Sequence, residues 1–136
     1  MDKKILVLDF DATCNTYAAG WQGIAVCPDP PTPGLEQFLQ WALAHFEVHI
    51  HSSRSAEQVG RNAMRRWCAR WLPETICACL HFPTHKPPAF LTLDDRAITF
   101  PGNWLEMDWQ ALLAFEPWTR HTAPPHEAPT QERTTL

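Results

Sequence analysis

Positive charge is scarce in this chain. Its 11 Lys and Arg stand against 15 Asp and Glu, for a net charge of −4. That excludes attraction to nucleic acid through bulk charge, though not through a local patch. Long apolar runs are missing as well. The one near the N-terminus begins at Ile5 and stops at Asp9, too short and too abruptly acidic for a signal peptide or a membrane span. A cytoplasmic location is therefore expected. An odd number of cysteines, 5 in all, cannot be fully paired, and without an export signal they are expected as reduced thiols. Tyrosine is down to 1, but Trp and Phe each number 7, and no internal repeat is visible. With 136 residues, 45% of them hydrophobic, the chain has the material for one domain with a real core.

The first strong pattern is the run Ile5–Leu8, which ends in Asp9, Phe10, Asp11, Ala12 and Thr13. A short continuous apolar run reads as a strand buried on both faces, the usual state in a parallel sheet. Residues 14–32, with two Gly and three Pro, read as an irregular flap. Thr32-Pro33 reads as a helix start, Thr as N-cap and Pro at the first helical position. Leu35, Phe38, Leu39, Ala42, Leu43 and Phe46 then follow at helical spacing, with an end expected near His45. Phe46–His51 alternates and is rich enough in β-branched residues for a strand. Ser55 with Gln58 fits a capping box opening a second helix, whose stripe is Ala56, Val59, Ala63, Met64, Trp67 and Trp71. Pro73 ends it. A third strand is expected over Ile76–Phe82, a Pro-rich loop over 81–88, a fourth strand over Ala89–Leu93, and a short extra strand over Ala97–Phe100. Asp108 can cap a last helix, Trp109–Phe115. The alternation of strands and helices predicts an α/β fold, a three-layer α/β/α sandwich around a parallel sheet. The domain spans 1–116, and 117–136, poor in apolar residues, is expected as a disordered tail.

Four chemistry-bearing features then share one place. Asp9/Asp11, Ser52, Lys86 and Asp94/Asp95 each follow a predicted strand or lie just beyond one. Parallel sheets bind ligands beyond the carboxyl ends of their strands. Clustered carboxylates repel one another unless a cation sits among them. Oxygen ligands with no soft partner favour Mg²⁺. A hydroxyl, a strand-to-helix turn and a lysine beside that cation make an anion site. Together these are the equipment for phosphoryl transfer.

The stretch Asp9-Phe-Asp-Ala-Thr13 resembles the D-x-D-x-T motif of the haloacid dehalogenase-like (HAD) phosphatases. Ser52, Lys86 and Leu93-Asp94-Asp95 resemble that family's second, third and fourth motifs, in order, across residues 4–95. Residues 86–100 also resemble small HAD-like hydrolases of phages and bacteria. The resemblance implies Asp9 as nucleophile and Asp11 as the acid that protonates the leaving oxygen and then activates water. It implies Ser52 as phosphoryl ligand, Lys86 as the neutralising cation, and Asp9, the Asp11 carbonyl, Asp94 and Asp95 around Mg²⁺. Thr13 would orient the loop. Ala12 stands where many members have Gly, a small departure by size. Neither gap between motifs has room for a cap domain, so a capless member with only the flap over its site is expected. An open site suits a bulky phosphomonoester: a nucleotide, a nucleic-acid end, a sugar phosphate or a phosphoprotein. It also leaves room for a second subunit as a lid.

Several features have plainer readings. Cys77 and Cys79 with His81 and His85 lack a second ligand pair for zinc, and core thiols are the better reading. His49 and His51 suit a core or edge position. Ser53 replaces Ser52 as phosphate ligand if the strand ends one residue later. Arg54 and Arg96 fit either a substrate contact or a structural ion pair. A receiver-like phosphorylation switch is disfavoured because the second and third strands offer no Asp. A non-catalytic phosphate-binding protein, or a phosphotransferase to an acceptor other than water, are the alternatives to a phosphatase.

Overall fold

A computed structural model describes residues 2–120. It shows a mixed α/β protein whose chain divides into two compact units between Asp94 and Asp95. The first unit contains β1 (Lys4–Leu8), α1 (Leu35–His45), β2 (Phe46–Ile50), α2 (Gln58–Trp71), α3 (Glu74–Cys77) and β3 (Leu91–Leu93). The three strands form one parallel sheet in the order β2-β1-β3.

Register assigns the faces. Leu6 pairs with Val48 and Leu91, and Leu8 with Ile50 and Leu93. Paired residues in a parallel ladder share a face. Leu6, Leu8, Val48 and Ile50 join the buried residues of both long helices in one cluster: Leu35, Leu39 and Ala42 from α1, and Met64, Trp67 and Cys68 from α2. From β1 to β2 and on to the bridge at His81, beside His49 of β2, the chain crosses the sheet in one direction, and right-handed crossovers that keep one direction put their helices on the same side. The opposite face carries Ile5, Val7, Glu47, His49 and Thr92.

Local chemistry explains where the elements depart from expectation. Helix α1 starts two residues late because Gly34, at φ 87, is its N-cap. Thr32 is not that cap: its hydroxyl donates to the backbone oxygen of Thr13 at 2.8 Å. Helix α2 starts at Gln58 with Glu57 as N-cap, so the Ser55/Gln58 box does not form. Ser55 instead accepts from the Ser52 N–H inside the preceding turn. Ala56 and Val59 are consequently exposed, while Gly60 and Cys68 join the buried face.

The expected strand over 76–82 is a correction. Residues 74–77 form α3, entered from Pro73, and only His81 pairs with the sheet, through a single parallel bridge to His49. Ile76, Leu80 and Phe82 are the buried ones: the first two stand at helical spacing, and only Leu80 and Phe82, on either side of the His81 bridge, alternate as a strand would.

In the second unit, residues 97–100 form no strand. Asp108 caps α4 (Trp109–Leu113) by accepting from the Ala111 N–H, as expected. One-turn 3₁₀ segments occur at Trp104–Glu106 and Trp118–Arg120. Of the expected tail, 117–136, the part from residue 121 onward lies outside the described residues.

Candidate functional site

Three chain segments are aligned at the carboxyl end of the sheet. The Asp9 N–H donates to Leu93 O at 2.9 Å, and the His51 N–H donates to Leu8 O at 3.0 Å. This brings the ends of β1, β2 and β3 level. The carboxylates of Asp9, Asp94 and Asp95, the last two consecutive in the chain, have oxygens within 4.8 Å of one another. Carboxylate oxygens at that spacing could hold a hard cation.

After Asp9 the chain turns tightly. The N–H groups of Thr13, Cys14 and Asn15 all reach Phe10 O, at 3.3, 2.8 and 3.2 Å. Ala12 sits at φ 64. That is the left-handed region, where a Cβ is strained and Gly is at ease. Its backbone angle, not its size, is what makes alanine unusual at position 12.

Asp11 does not join the other carboxylates. Its Oδ2 accepts from Arg54 Nε at 3.0 Å, and its Oδ1 accepts from Arg54 Nη2 at 3.1 Å and from Asn15 Nδ2 at 3.2 Å. This is a bidentate guanidinium–carboxylate fork. The same guanidinium donates through Nη1 to the flap carbonyls of Gly23 and Ile24, at 3.0 and 2.7 Å. Trp21 lies over it, 4.6 Å from ring centroid to Cζ. Arg54 is only 1% exposed, and one buried side chain thus ties the first motif, the turn after β2 and the flap together.

Ser52 is committed to its own turn. Its Oγ accepts from the Arg54 N–H at 3.1 Å and lies 3.5 Å from Met64 Sδ. Ser53 is exposed. The buried Thr13 hydroxyl has no hydrogen-bond partner. It lines an apolar cleft of about 170 Å³ with Leu8, Cys14, Leu35, Phe38 and Leu93. Lys86 is exposed on its Pro-rich loop. The His51 imidazole is held below its usual range by burial first, then by the charges of Lys86 and His85.

The flap over residues 14–32 is pinned as well as irregular. Thr16 N–H donates to Pro30 O and Thr32 N–H to Cys14 O. Trp67 Nε1 of α2 donates to Asp29 O at 2.7 Å. Of the pair expected as core thiols, Cys77 is half-buried and Cys79 is exposed, so the core reading does not hold for Cys79. Burial pushes Cys14 well above its ordinary range and Cys68 up to about 12.

Asn15 and Gly60 escaped sequence reasoning. Asn15 Oδ1 accepts from the Ala12 N–H while its amide donates to Asp11, and only its position near the motif hints at that. At Gly60 a Cβ would stand 2.0 Å from Arg54 O. A glycine inside an otherwise sound helical pattern is the one signal that marks such a close approach.

No family model, no curated protein and no solved structure matches this chain.

Proposed function

We propose that this protein is a Mg²⁺-dependent phosphomonoester hydrolase of the HAD-like kind, capless, with a three-layer α/β sandwich and a cytoplasmic setting. The observation that carries the reading is the grouping of Asp9, Asp94 and Asp95 within 4.8 Å at the end of a parallel sheet, where such sheets bind their ligands. The sequence motifs supply the roles. Asp9 Oδ attacks phosphorus, the ester oxygen departs with a proton, and water then hydrolyses the aspartyl-phosphate. Asp9, Asp94 and Asp95 would hold Mg²⁺, which supplies charge neutralisation for the phosphoryl oxygens. In this reading Ser52 or Ser53, Thr13, Arg54 and Lys86 would hold the phosphate.

Asp11 is the acid and base of this scheme. Its oxygens accept three N–H donors from Arg54 and Asn15, which leaves about one of its four lone-pair sites, on Oδ2, for the travelling proton. The same pairing favours a second reading, a phosphate-binding protein without turnover. Transfer to an acceptor other than water is a variant of the first.

Hydrolysis of an aryl phosphate, with Mg²⁺ or EDTA, separates the two. The expected result is Mg²⁺-dependent turnover that falls by several orders of magnitude in Asp9→Asn, as loss of a nucleophile does. Turnover unaffected by EDTA and by Asp9→Asn would overturn the hydrolase reading. No turnover, together with stabilisation of the parent by inorganic phosphate and Mg²⁺, would establish the binder.

A further inference from the structure

On the face of the sheet opposite the helices, β2 carries Glu47 and His49 at alternating positions, and the lone bridge residue His81 stands beside His49. The two imidazoles stack with centroids 4.6 Å apart and planes 18° apart. His49 Nε2 lies 2.6 Å from Glu47 Oε2. One ligand atom from each of the three residues falls within 4.8 Å of the others. We propose that Glu47, His49 and His81 form a binding site for a borderline transition-metal ion such as Zn²⁺, separate from the acidic cluster at the strand ends.

The donor types select the ion. Two imidazoles and one carboxylate suit Zn²⁺, Co²⁺ or Ni²⁺, and disfavour Mg²⁺, which prefers all-oxygen sites. Geometry is close to what such an ion needs. Two ligands on a tetrahedral ion with bonds of ~2.1 Å stand roughly 3.4 Å apart. Glu47 and His81 are exposed, so they can close the remaining gap by side-chain rotation. His49, at 9% exposure, is the fixed ligand. It can offer only Nε2, since its Nδ1 is buried without a partner.

Ligation at Nε2 leaves the proton on Nδ1, where it has no acceptor. Sites without that outer partner bind more weakly, by roughly 10–100-fold. The site is therefore an accessory one, and its structural logic is local. Residue 81 is joined to β2 by only two backbone bonds, His81 N–H to Val48 O at 3.1 Å and Ile50 N–H to His81 O at 2.8 Å. An ion shared by His49 and His81 staples that edge from the side-chain direction.

The test is titration of tag-free, full-length protein with Co²⁺ in excess Mg²⁺, read by visible d–d absorption. One equivalent is expected to bind with a nitrogen/oxygen spectrum that Zn²⁺ displaces. His81→Ala and Glu47→Gln, both at exposed positions, should each weaken binding by about tenfold or more without altering the circular dichroism. Retained affinity in both variants overturns the proposal. So does a thiolate charge-transfer band, which assigns the ion to cysteine, or the absence of saturable binding in the parent.

Discussion

The loop after β1 and the loop before β3 both serve the candidate site, and they are built in opposite ways. Residues 10–15 are mostly buried: Phe10 is fully so, and Ala12, Cys14 and Asn15 are 3% exposed or less. Side chains from two other segments, Arg54 and Thr32, donate to them, and Asn15 donates from within the loop. Residues 84–86 are exposed. The first loop is preorganised with its geometry settled by folding, and that kind of support keeps reacting groups in place. The second leaves Lys86 on a mobile-length stem, a point charge that adapts to what it meets. The candidate site thus has one fixed half and one adaptable half.

The sharpest way to break this contrast is Arg54→Ala. It removes two of the three donors to Asp11, the bonds to the Gly23 and Ile24 carbonyls, and the stacking under Trp21. Removing one partner of a buried ion pair costs about 3–5 kcal/mol. Urea denaturation should show a loss of that size. A loss below about 1 kcal/mol would mean that the first loop holds itself and that Arg54 is reserved for a ligand.

Gly60→Ala probes the same half from behind. The new Cβ would meet Arg54 O at 2.0 Å, and that neighbour is backbone, so the turn must move. Overpacking of this sort costs about 1–3 kcal/mol. The sharper expectation is that Gly60→Ala and Arg54→Ala are less than additive in a double-mutant cycle, because both act on one turn.

The sequence made the sheet legible but not the clamp. Ile5–Leu8 and Phe46–Ile50 carry their pairing in their patterns, and α1 and α2 show their buried faces at helical spacing. The stretch 76–82 misled because Ile76, Ala78 and Leu80 alternate as well as they repeat at four, and a short apolar segment cannot decide between the two periods. Pro73 followed by Glu74 was the better clue, since it starts a helix. Arg54 and Asp11 are 43 residues apart, and no local rule pairs them. Of the candidate site, the strand-end carboxylates were readable from the motifs, because strand ends of a parallel sheet converge. The commitment of Asp11 to Arg54 depends on a buried tertiary contact, which only the folded chain displays.

Ala12→Gly should move stability much less than either change above. Relief of the left-handed backbone at φ 64 favours the variant by ~1–2 kcal/mol. Glycine's extra freedom in the unfolded chain opposes it by about 0.5–1 kcal/mol, and loss of a buried methyl opposes it by about 0.8 kcal/mol. The net change should fall within about 1 kcal/mol in urea denaturation. A gain well beyond that would mean that the fixed half stores strain its neighbours do not offset.

Lys86→Ala tests the adaptable half, and the expected effect on folding is smaller still. An exposed loop side chain usually contributes within about ±0.5 kcal/mol. The variant should therefore unfold like the parent while turnover of an aryl phosphate drops. His51 gives an independent readout that needs no substrate. Its imidazole is depressed by burial first and by the Lys86 charge second, so removing that charge should raise its midpoint toward the ordinary histidine range, with the burial part retained. An NMR titration of the imidazole checks this directly. An unmoved His51 midpoint would place Lys86 away from the strand ends. A large loss of stability would instead mean that the loop before β3 is as fixed as the loop after β1, and the division of the site into two kinds of support would fail.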